Sequence, residues 1–183
     1  MYSFEPYKET FQILQENIRL NNLNNIVPCC IALGNYVGKA RVKVNLAWKD
    51  GLNTIGKPSH PDCEIVKEEE VSITTLDNFI KDNGITKVDL IKIDIEGAEL
   101  LALQGARKLL ENKNAPLIIY ESQYATTKGF GYHPIKIINY LKRLGYFLFE
   151  LKEKDGKVVP FASNGEVYTI IIATKSKSFL KRH

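Results

Sequence analysis

Apolar runs recur along the chain and alternate with segments of helical periodicity. The runs predict buried strands over residues 87–94, 115–122, 146–153 and 167–175. Amphipathic segments predict helices over residues 97–113 and 133–145. Strands alternating with helices favour an α/β fold, in which a mostly parallel sheet carries helices on both faces. We expect the last two strands to form an antiparallel pair.

The first 34 residues predict a strand, a helix and a second strand. The stretch "YSFEP" is a short strand that ends at Pro6, because proline cannot donate to a sheet ladder and commonly opens a helix. Residues 7–23 place apolar side chains at helical spacing, and residues 26–34 form a mostly apolar run.

In the middle of the chain, polar and apolar residues alternate. Two alternating segments, residues 39–46 and 69–74, predict half-exposed strands. A short helix follows over residues 74–84, which Thr74 or Thr75 could cap.

A long loop separates these two strands. Residues 47–63 are rich in Gly, Pro, Asn and Asp, and they include Trp48, His60 and the prolines Pro58 and Pro61. Long loops in compact domains tend to be functional or disordered. We therefore predict that this loop is a lid over a bound acceptor.

The composition indicates one globular domain over residues 1–183. Of the 183 residues 44% are hydrophobic and 25% are charged, which is typical of a folded domain rather than a disordered chain. The formal net charge is +4, and basic residues gather only in residues 175–183, which we interpret as a solvated tail.

Several classes of function receive no support from the residues. The modest charge predicts no nucleic-acid partner, and no apolar run reaches the roughly 20 residues of a membrane span. The first residues do not read as a signal peptide. The three cysteines form neither a disulfide framework nor a zinc-ligand pattern, so we expect buried free thiols in the cytoplasm. The three histidines are isolated, and we expect no metal.

Three acids follow predicted strands: Glu5, Asp94 and Glu121. Ligands of open α/β sheets bind beyond the carboxyl ends of the strands. A carboxylate after the second strand of a nucleotide-binding sheet commonly accepts both hydroxyls of a ribose. For Glu5 this interpretation and that of an ordinary strand-end acid both stay open.

The stretch "VDLIKIDIEGAEL" places three acids and a glycine between a strand and a helix. Glu96 and Glu99 fall at the first helical turn, where negative charge complements exposed N–H groups by about 0.3–1 kcal/mol. Gly97 allows a sharp turn there. We therefore assign Glu96 and Glu99 to structure or orientation, and we assign Asp94, at the strand end, to the ligand.

The chain from residue 4 to about residue 150 resembles FkbM-type methyltransferases. The resemblance is carried, in order, by "FEPYKETFQILQENIRLNNLNNI", "IALGNYVGKARVKV", "TTLDNFI", "VDLIKIDIEGAELLALQGA" and "IIYES". Members are S-adenosylmethionine-dependent enzymes, mostly O-methyltransferases, with a Rossmann-like class I sheet. The resemblance implies that Glu5 binds the cofactor ribose and that Ala32 and Leu33 line the adenine.

The same resemblance places Asp94, Glu96 and Glu121 around the methyl group and the acceptor hydroxyl, with Asp94 and Glu96 also in the cofactor site. Methyl transfer needs a positioned acceptor oxygen and a group that takes its proton. We predict Asp94 or Glu121 as that base. The implied acceptor is a hydroxyl on a sugar or secondary metabolite, hence a small molecule or glycan.

Two alternatives stay open at this point. The chain could be a non-catalytic remnant or interaction domain that has lost its cofactor loop. It could also be an NAD-type dinucleotide enzyme, since an acid after the second strand suits either cofactor. The "DIEGAE" string counts against the latter.

The resemblance also implies a first strand and a glycine-rich loop before Glu5, and this sequence shows neither. The absent strand would lie between those ending at Glu5 and Asp94. We expect these strands to pair directly or to leave two buried edges unpaired. The sequence reads as a truncated form of a longer protein. Alone, it is expected to form homodimers or aggregates through its edges and to bind the cofactor weakly or not at all.

Overall fold

The computed structural model describes residues 1–45, 52–58, 64–152, 154–163, 168–176 and 179. The strands are β1 (Tyr2–Phe4), β2 (Val27–Cys29), β3 (Ala32–Leu33), β4 (Gly38–Asn45), β5 (Ile65–Thr74), β6 (Leu90–Ile93), β7 (Leu117–Ser122), β8 (Phe147–Lys152), β9 (Lys157–Pro160) and β10 (Thr169–Thr174). The helices are α1 (Lys8–Leu20), α2 (Leu76–Asp82), α3 (Glu99–Gln104), α4 (Arg107–Glu111), α5 (Tyr124–Thr127) and α6 (Ile135–Arg143). The α/β class is confirmed.

The strands form three sheets rather than one. The largest has the order β6-β7-β10-β8-β9, the second β3-β5-β4, and the third contains β1 and β2. Of the seven strand pairs between described residues, three are parallel and four antiparallel. The prediction of a mostly parallel sheet is therefore wrong, because the β4–β5 hairpin and the C-terminal strands pair antiparallel. The predicted antiparallel pairing of the last two strands, now β8 and β10, is confirmed.

The five-stranded sheet holds the main core. Helices α3, α4 and α6 pack their apolar sides against it, and the fully buried side chains include Leu103, Leu110, Ile118, Ile137, Ile138, Leu141 and Ile171. Each buried side chain of this size stabilises the fold by about 1.5–3 kcal/mol.

A second, smaller core lies on the three-stranded sheet. Alternating residues of β4, namely Ala40, Val42 and Val44, are buried against Val71 and Ile73 of β5. This is the period-two pattern that the sequence predicted.

The predicted helix over residues 97–113 divides into α3 and α4. The Asp77 carboxylate accepts hydrogen bonds from the backbone N–H groups of Lys108 (2.8 Å) and Leu109 (3.0 Å). These bonds cap α4 separately, so the helix restarts after Gly105. A side chain distant in sequence therefore sets this break.

The predicted strand over residues 26–34 also divides. Its first part, β2, pairs with β1, and its second part, β3, pairs with β5 in another sheet. Strand β9 and helix α5 arise within segments for which no element was predicted.

The strands that precede Glu5 and Asp94 lie in different sheets. Within the described residues β1 pairs with β2 alone, and β6 is the edge strand of the five-stranded sheet. The two strands therefore do not pair directly. Their free edges are partly exposed rather than buried, since Tyr2 is 39% and Leu90 54% exposed.

None of the helices in the described part of the chain is long and apolar enough to cross a membrane.

Candidate active site

Parallel pairing of β6 with β7 brings two of the predicted acids to one level of the sheet. Ile93 is the register partner of Tyr120, so Asp94 and Glu121 follow side by side at the carboxyl ends of the two strands. Asp94 is exposed and forms an ion pair with Lys92, with 3.0 Å between Nζ and Oδ2. This is the position at which open α/β sheets bind ligands.

A left-handed turn follows Asp94. Glu96 has φ +52° and Gly97 has φ +98°. A non-glycine residue in this region costs about 1–2 kcal/mol, so other contacts must hold Glu96 there. A Cβ at Gly97 would lie 2.5 Å from the carbonyl oxygen of Thr126, so glycine is needed for this close approach as well.

Two buried side chains hold the turn from inside. The Glu99 Oε1 atom accepts hydrogen bonds from the backbone N–H groups of Ile95 and Gly97, both at 3.2 Å. The Tyr132 hydroxyl donates to the Gly97 carbonyl at 2.6 Å. Glu99 is only 3% exposed, and this burial raises the pKa of its carboxyl. The prediction that Glu99 is structural is confirmed.

Glu96 is only partly buried, unlike Glu99, with which its place at the helix start had grouped it. Partial burial, followed by the charges of Asp94, Glu121 and Glu99, raises the pKa of Glu96 from 4.5 to about 7. Its carboxyl can therefore gain or lose a proton close to neutral pH. This combination of strain and a shifted pKa is typical of functional sites.

Replacement of Glu96 by glutamine should stabilise the fold at neutral pH and above. Between pH 4.5 and about 7 the folded state binds more protons at Glu96 than the unfolded state, so wild-type stability falls as the pH rises through this window. Glutamine does not ionise, so the stability of the variant does not fall in this way. Because Glu96 is partly exposed to solvent, we expect a gain of only about 1–2 kcal/mol above neutral pH.

Denaturant unfolding of both proteins at several pH values checks this expectation. The gain should vanish below pH 4.5, where both side chains are neutral. An equal gain at all pH values would show that the charge on Glu96 is not its cause.

The other predicted cofactor residues lie on the two smaller sheets. Glu5 directly follows β1 and is half-buried, and its Oε1 atom accepts a hydrogen bond from the Tyr7 N–H at 2.8 Å. Ala32 and Leu33 form β3, beside β5. Thus the structure brings Asp94, Glu96 and Glu121 together, and it positions Glu5, Ala32 and Leu33 on different sheets.

Part of the predicted lid contacts the region of the carboxylates. Residues 52–58 are described, whereas Trp48, His60 and Pro61 lie outside the described residues. The Lys57 N–H donates to the Gly129 carbonyl at 3.0 Å. The loop therefore packs on the segment that follows β7.

The described residues include two cysteines and several potential metal ligands. Cys29 is half-buried and Cys30 exposed, so the prediction of buried thiols is wrong for these two, although both are free. Cys63 lies outside the described residues. Among the described His, Cys, Asp and Glu residues, no group of three or more has the geometry to hold a metal ion.

Comparison with known proteins shows three similarities. The family model of the methyltransferase FkbM domain matches residues 1–148. A curated relative, Methyltransferase 1 of Beauveria bassiana (strain ARSEF 2860), is 25% identical over 144 residues, covering 69% of this chain and 58% of that protein. The crystal structure of methyltransferase FkbM from Methylobacillus flagellatus KT matches with a TM-score of 0.53 and 18% identity, over 94% of this chain and 36% of that one.

These similarities cover most of this chain but only part of each relative. The structural similarity supports the fold alone, given its low identity. The comparisons do not favour the alternative of a non-catalytic remnant. Because the family model covers residues 1–148, the chain belongs to the methyltransferase FkbM domain family.

Proposed function

We propose that the protein is an S-adenosylmethionine-dependent O-methyltransferase that acts on a hydroxyl of a small molecule or glycan. Family membership supports methyl transfer. The observation that carries the finer proposal is the group formed by Asp94, Glu96 and Glu121 at the carboxyl ends of β6 and β7.

The chemistry of these residues fits the proposed cofactor. S-Adenosylmethionine carries a sulfonium cation, and when bound it supplies an electrophilic methyl group. Three neighbouring carboxyls, of which Glu96 is partly buried, favour a cation over an anion at this place. Glu5 would hold the ribose, and Ala32 with Leu33 would line the adenine, as the resemblance implies.

Within this group we propose Glu96 as the proton acceptor. A general base works best when its pKa lies near the working pH, and the pKa of Glu96 is about 7. Glu96 would take the proton of the acceptor hydroxyl, and Asp94 and Glu121 would keep its carboxyl basic by their charge. The sequence analysis favoured Asp94 or Glu121 for this role, and these two remain the alternatives.

We propose that the acceptor binds beside residues 52–58 of the β4–β5 loop. Residues 52–58 pack beside the turn that carries Glu96, so an acceptor that reaches Glu96 would meet this loop. A small hydroxyl compound or a sugar suits such a position, whereas we propose no nucleic-acid or membrane partner.

Replacing Glu5 by alanine should weaken S-adenosylmethionine binding more than tenfold. A hydrogen bond to a charged acceptor is worth about 1.5–3 kcal/mol, and the carboxylate of Glu5 would accept the ribose hydroxyls. Calorimetric titration measures the dissociation constants of both proteins.

Two controls accompany this titration. Glu5→Gln retains an acceptor for the Tyr7 N–H, so it separates loss of the ribose contact from disturbance of α1. Glu68→Ala removes an exposed acid on β5 and should bind like wild type. If Glu5→Ala binds with unchanged affinity, Glu5 does not belong to the cofactor site.

A further inference from the structure

The Glu96 turn receives a third contact, which comes from the loop between β4 and β5. The Thr54 hydroxyl donates to the Glu96 carbonyl at 3.2 Å, and it accepts from the Gly56 N–H at 3.1 Å. Thr54 is 7% exposed, so both bonds are largely shielded from water. A single hydroxyl therefore links the backbone of Glu96 to the backbone of the loop.

Thr54 is itself held in place by β4. Its backbone pairs with that of Lys43, with N–O distances of 2.8 and 3.2 Å. The Lys43 ammonium donates to the Gly56 carbonyl at 2.8 Å. The loop is thus anchored to the three-stranded sheet on one side and to the Glu96 turn on the other.

Phe130 closes the contact between the loop and the turn. A Cβ at Gly56 would overlap the Phe130 ring, and a Cβ at Gly97 would lie 2.9 Å from that ring. Both glycine backbones therefore pack against one aromatic side chain. The loop cannot shift relative to the turn without disturbing this packing, because packed interiors deform little.

We propose that Thr54 is a positioning residue that couples the β4–β5 loop to Glu96. By holding the Glu96 carbonyl, its hydroxyl fixes the left-handed backbone of Glu96 and therefore the direction in which the carboxyl points. A change in the loop on acceptor binding would reach Glu96 through this bond. The inference rests on the proposed role of Glu96 and extends it to a residue in another sheet.

The simpler interpretation is that Thr54 only shapes its own loop, through the Gly56 N–H. The two interpretations differ in what happens at Glu96. Coupling requires the environment of the Glu96 carboxyl to change when the hydroxyl is lost, whereas a purely local role leaves that carboxyl unaffected. Burial and then the charges of Asp94, Glu121 and Glu99 raise the pKa of Glu96, so its titration reports both the burial of its carboxyl and its distance from these acids.

The test compares Thr54→Val, which keeps the shape of the side chain but removes the hydroxyl, with Thr54→Ser, which keeps the hydroxyl. The protein is labelled at glutamate carboxyl carbons, and the Glu96 pKa is followed by NMR. In the valine variant we expect this pKa to fall toward 4.5, as the carboxyl moves away from its neighbours into water. We also expect kcat to fall about tenfold with an unchanged KM for S-adenosylmethionine, the effect of a misplaced catalytic group. The Thr54→Ser variant should keep the wild-type Glu96 pKa and kcat.

Two results would overturn the coupling: a folded valine variant with the wild-type Glu96 pKa and kcat, or a serine variant that behaves like valine. If the valine variant does not fold, Thr54→Ala and Thr54→Ser form a second pair that differs by the hydroxyl alone. The NMR comparison needs no methyl transfer. An inactive wild-type protein would therefore refute the proposed function, while the Glu96 titration would still decide whether Thr54 is coupled to it.

Discussion

Replacing Glu96 by glutamine is expected to lower methyl transfer at least about 100-fold, which is the scale for losing a positioned acid or base. Glutamine has nearly the same shape as glutamate but cannot take a proton at neutral pH. The fold should survive, because the contacts that hold the turn involve the backbone of Glu96 and its neighbours rather than its carboxyl. Transfer of a labelled methyl group to a panel of hydroxyl compounds measures the loss.

The matched variants Asp94→Asn and Glu121→Gln show how much each of the three acids contributes to the rate of methyl transfer. Each removes one charge that raises the pKa of Glu96, so each should lower the rate less than Glu96→Gln does. Glu68→Gln, at an exposed position of β5, should have wild-type activity. If Asp94→Asn causes the largest loss instead, the base is Asp94, as the sequence analysis predicted, and Glu96 only orients the site.

The protein is expected to self-associate. Among the strands at the ends of the three sheets, β1 and β6 each have an edge that pairs with no other strand of the described chain. Unpaired edges are templates for pairing with another chain, and Leu90 on β6 is 54% exposed. Sedimentation velocity over a range of concentrations should show dimers or larger species.

A matched pair of variants tests the role of the edge. Leu90→Lys adds a charge to the edge strand and should shift the protein toward monomer, because edge charges oppose strand pairing. Leu20→Lys, on α1, removes a similarly exposed apolar side chain (61% exposed) that is not on an edge. A monomer at all concentrations, or an equal effect of both variants, would argue against association through β6.

Local patterns were sufficient to predict most of the individual elements. The period-two alternation in β4 and β5 and the helical spacing in α6 reflect which side chains face a core, and that information is present in the sequence itself. Long-range contacts decided the rest. At the break between α3 and α4, Gly105 is a local signal, but the capping of α4 by Asp77, which lies 31 and 32 positions from the two groups it caps, is not visible locally.

The arrangement of the strands into three sheets could not be read from hydrophobicity. The apolar run over residues 26–34 gives no sign that β2 and β3 pair with different partners. The apolar runs identify buried strands but not the direction in which each is paired, so the expected mostly parallel sheet was wrong.

The candidate site was predictable in part. Asp94 and Glu121 were identified because acids at the ends of adjacent parallel strands meet at one edge of the sheet. Position at the helix start assigned Glu96 to structure, whereas the resemblance placed it in the cofactor site. Its left-handed backbone and the charge of Glu121, on another strand, are not visible in its sequence neighbours. Thr54 and Tyr132 were not identified, because both reach the turn from distant segments. Gly97 was the one local signal of an unusual turn.

The most direct test of the proposed site is the number of protons released when S-adenosylmethionine binds the protein near neutral pH. A bound cation stabilises the ionised form of Glu96 and lowers its pKa from about 7, so binding should expel a fraction of a proton. Calorimetric titration in buffers of different ionisation enthalpy measures this number. We predict that wild type and Glu68→Gln release protons on binding. The Glu96→Gln variant should lack the part of this release that comes from Glu96. Equal release in wild type and Glu96→Gln, or no binding of S-adenosylmethionine at all, would contradict this prediction.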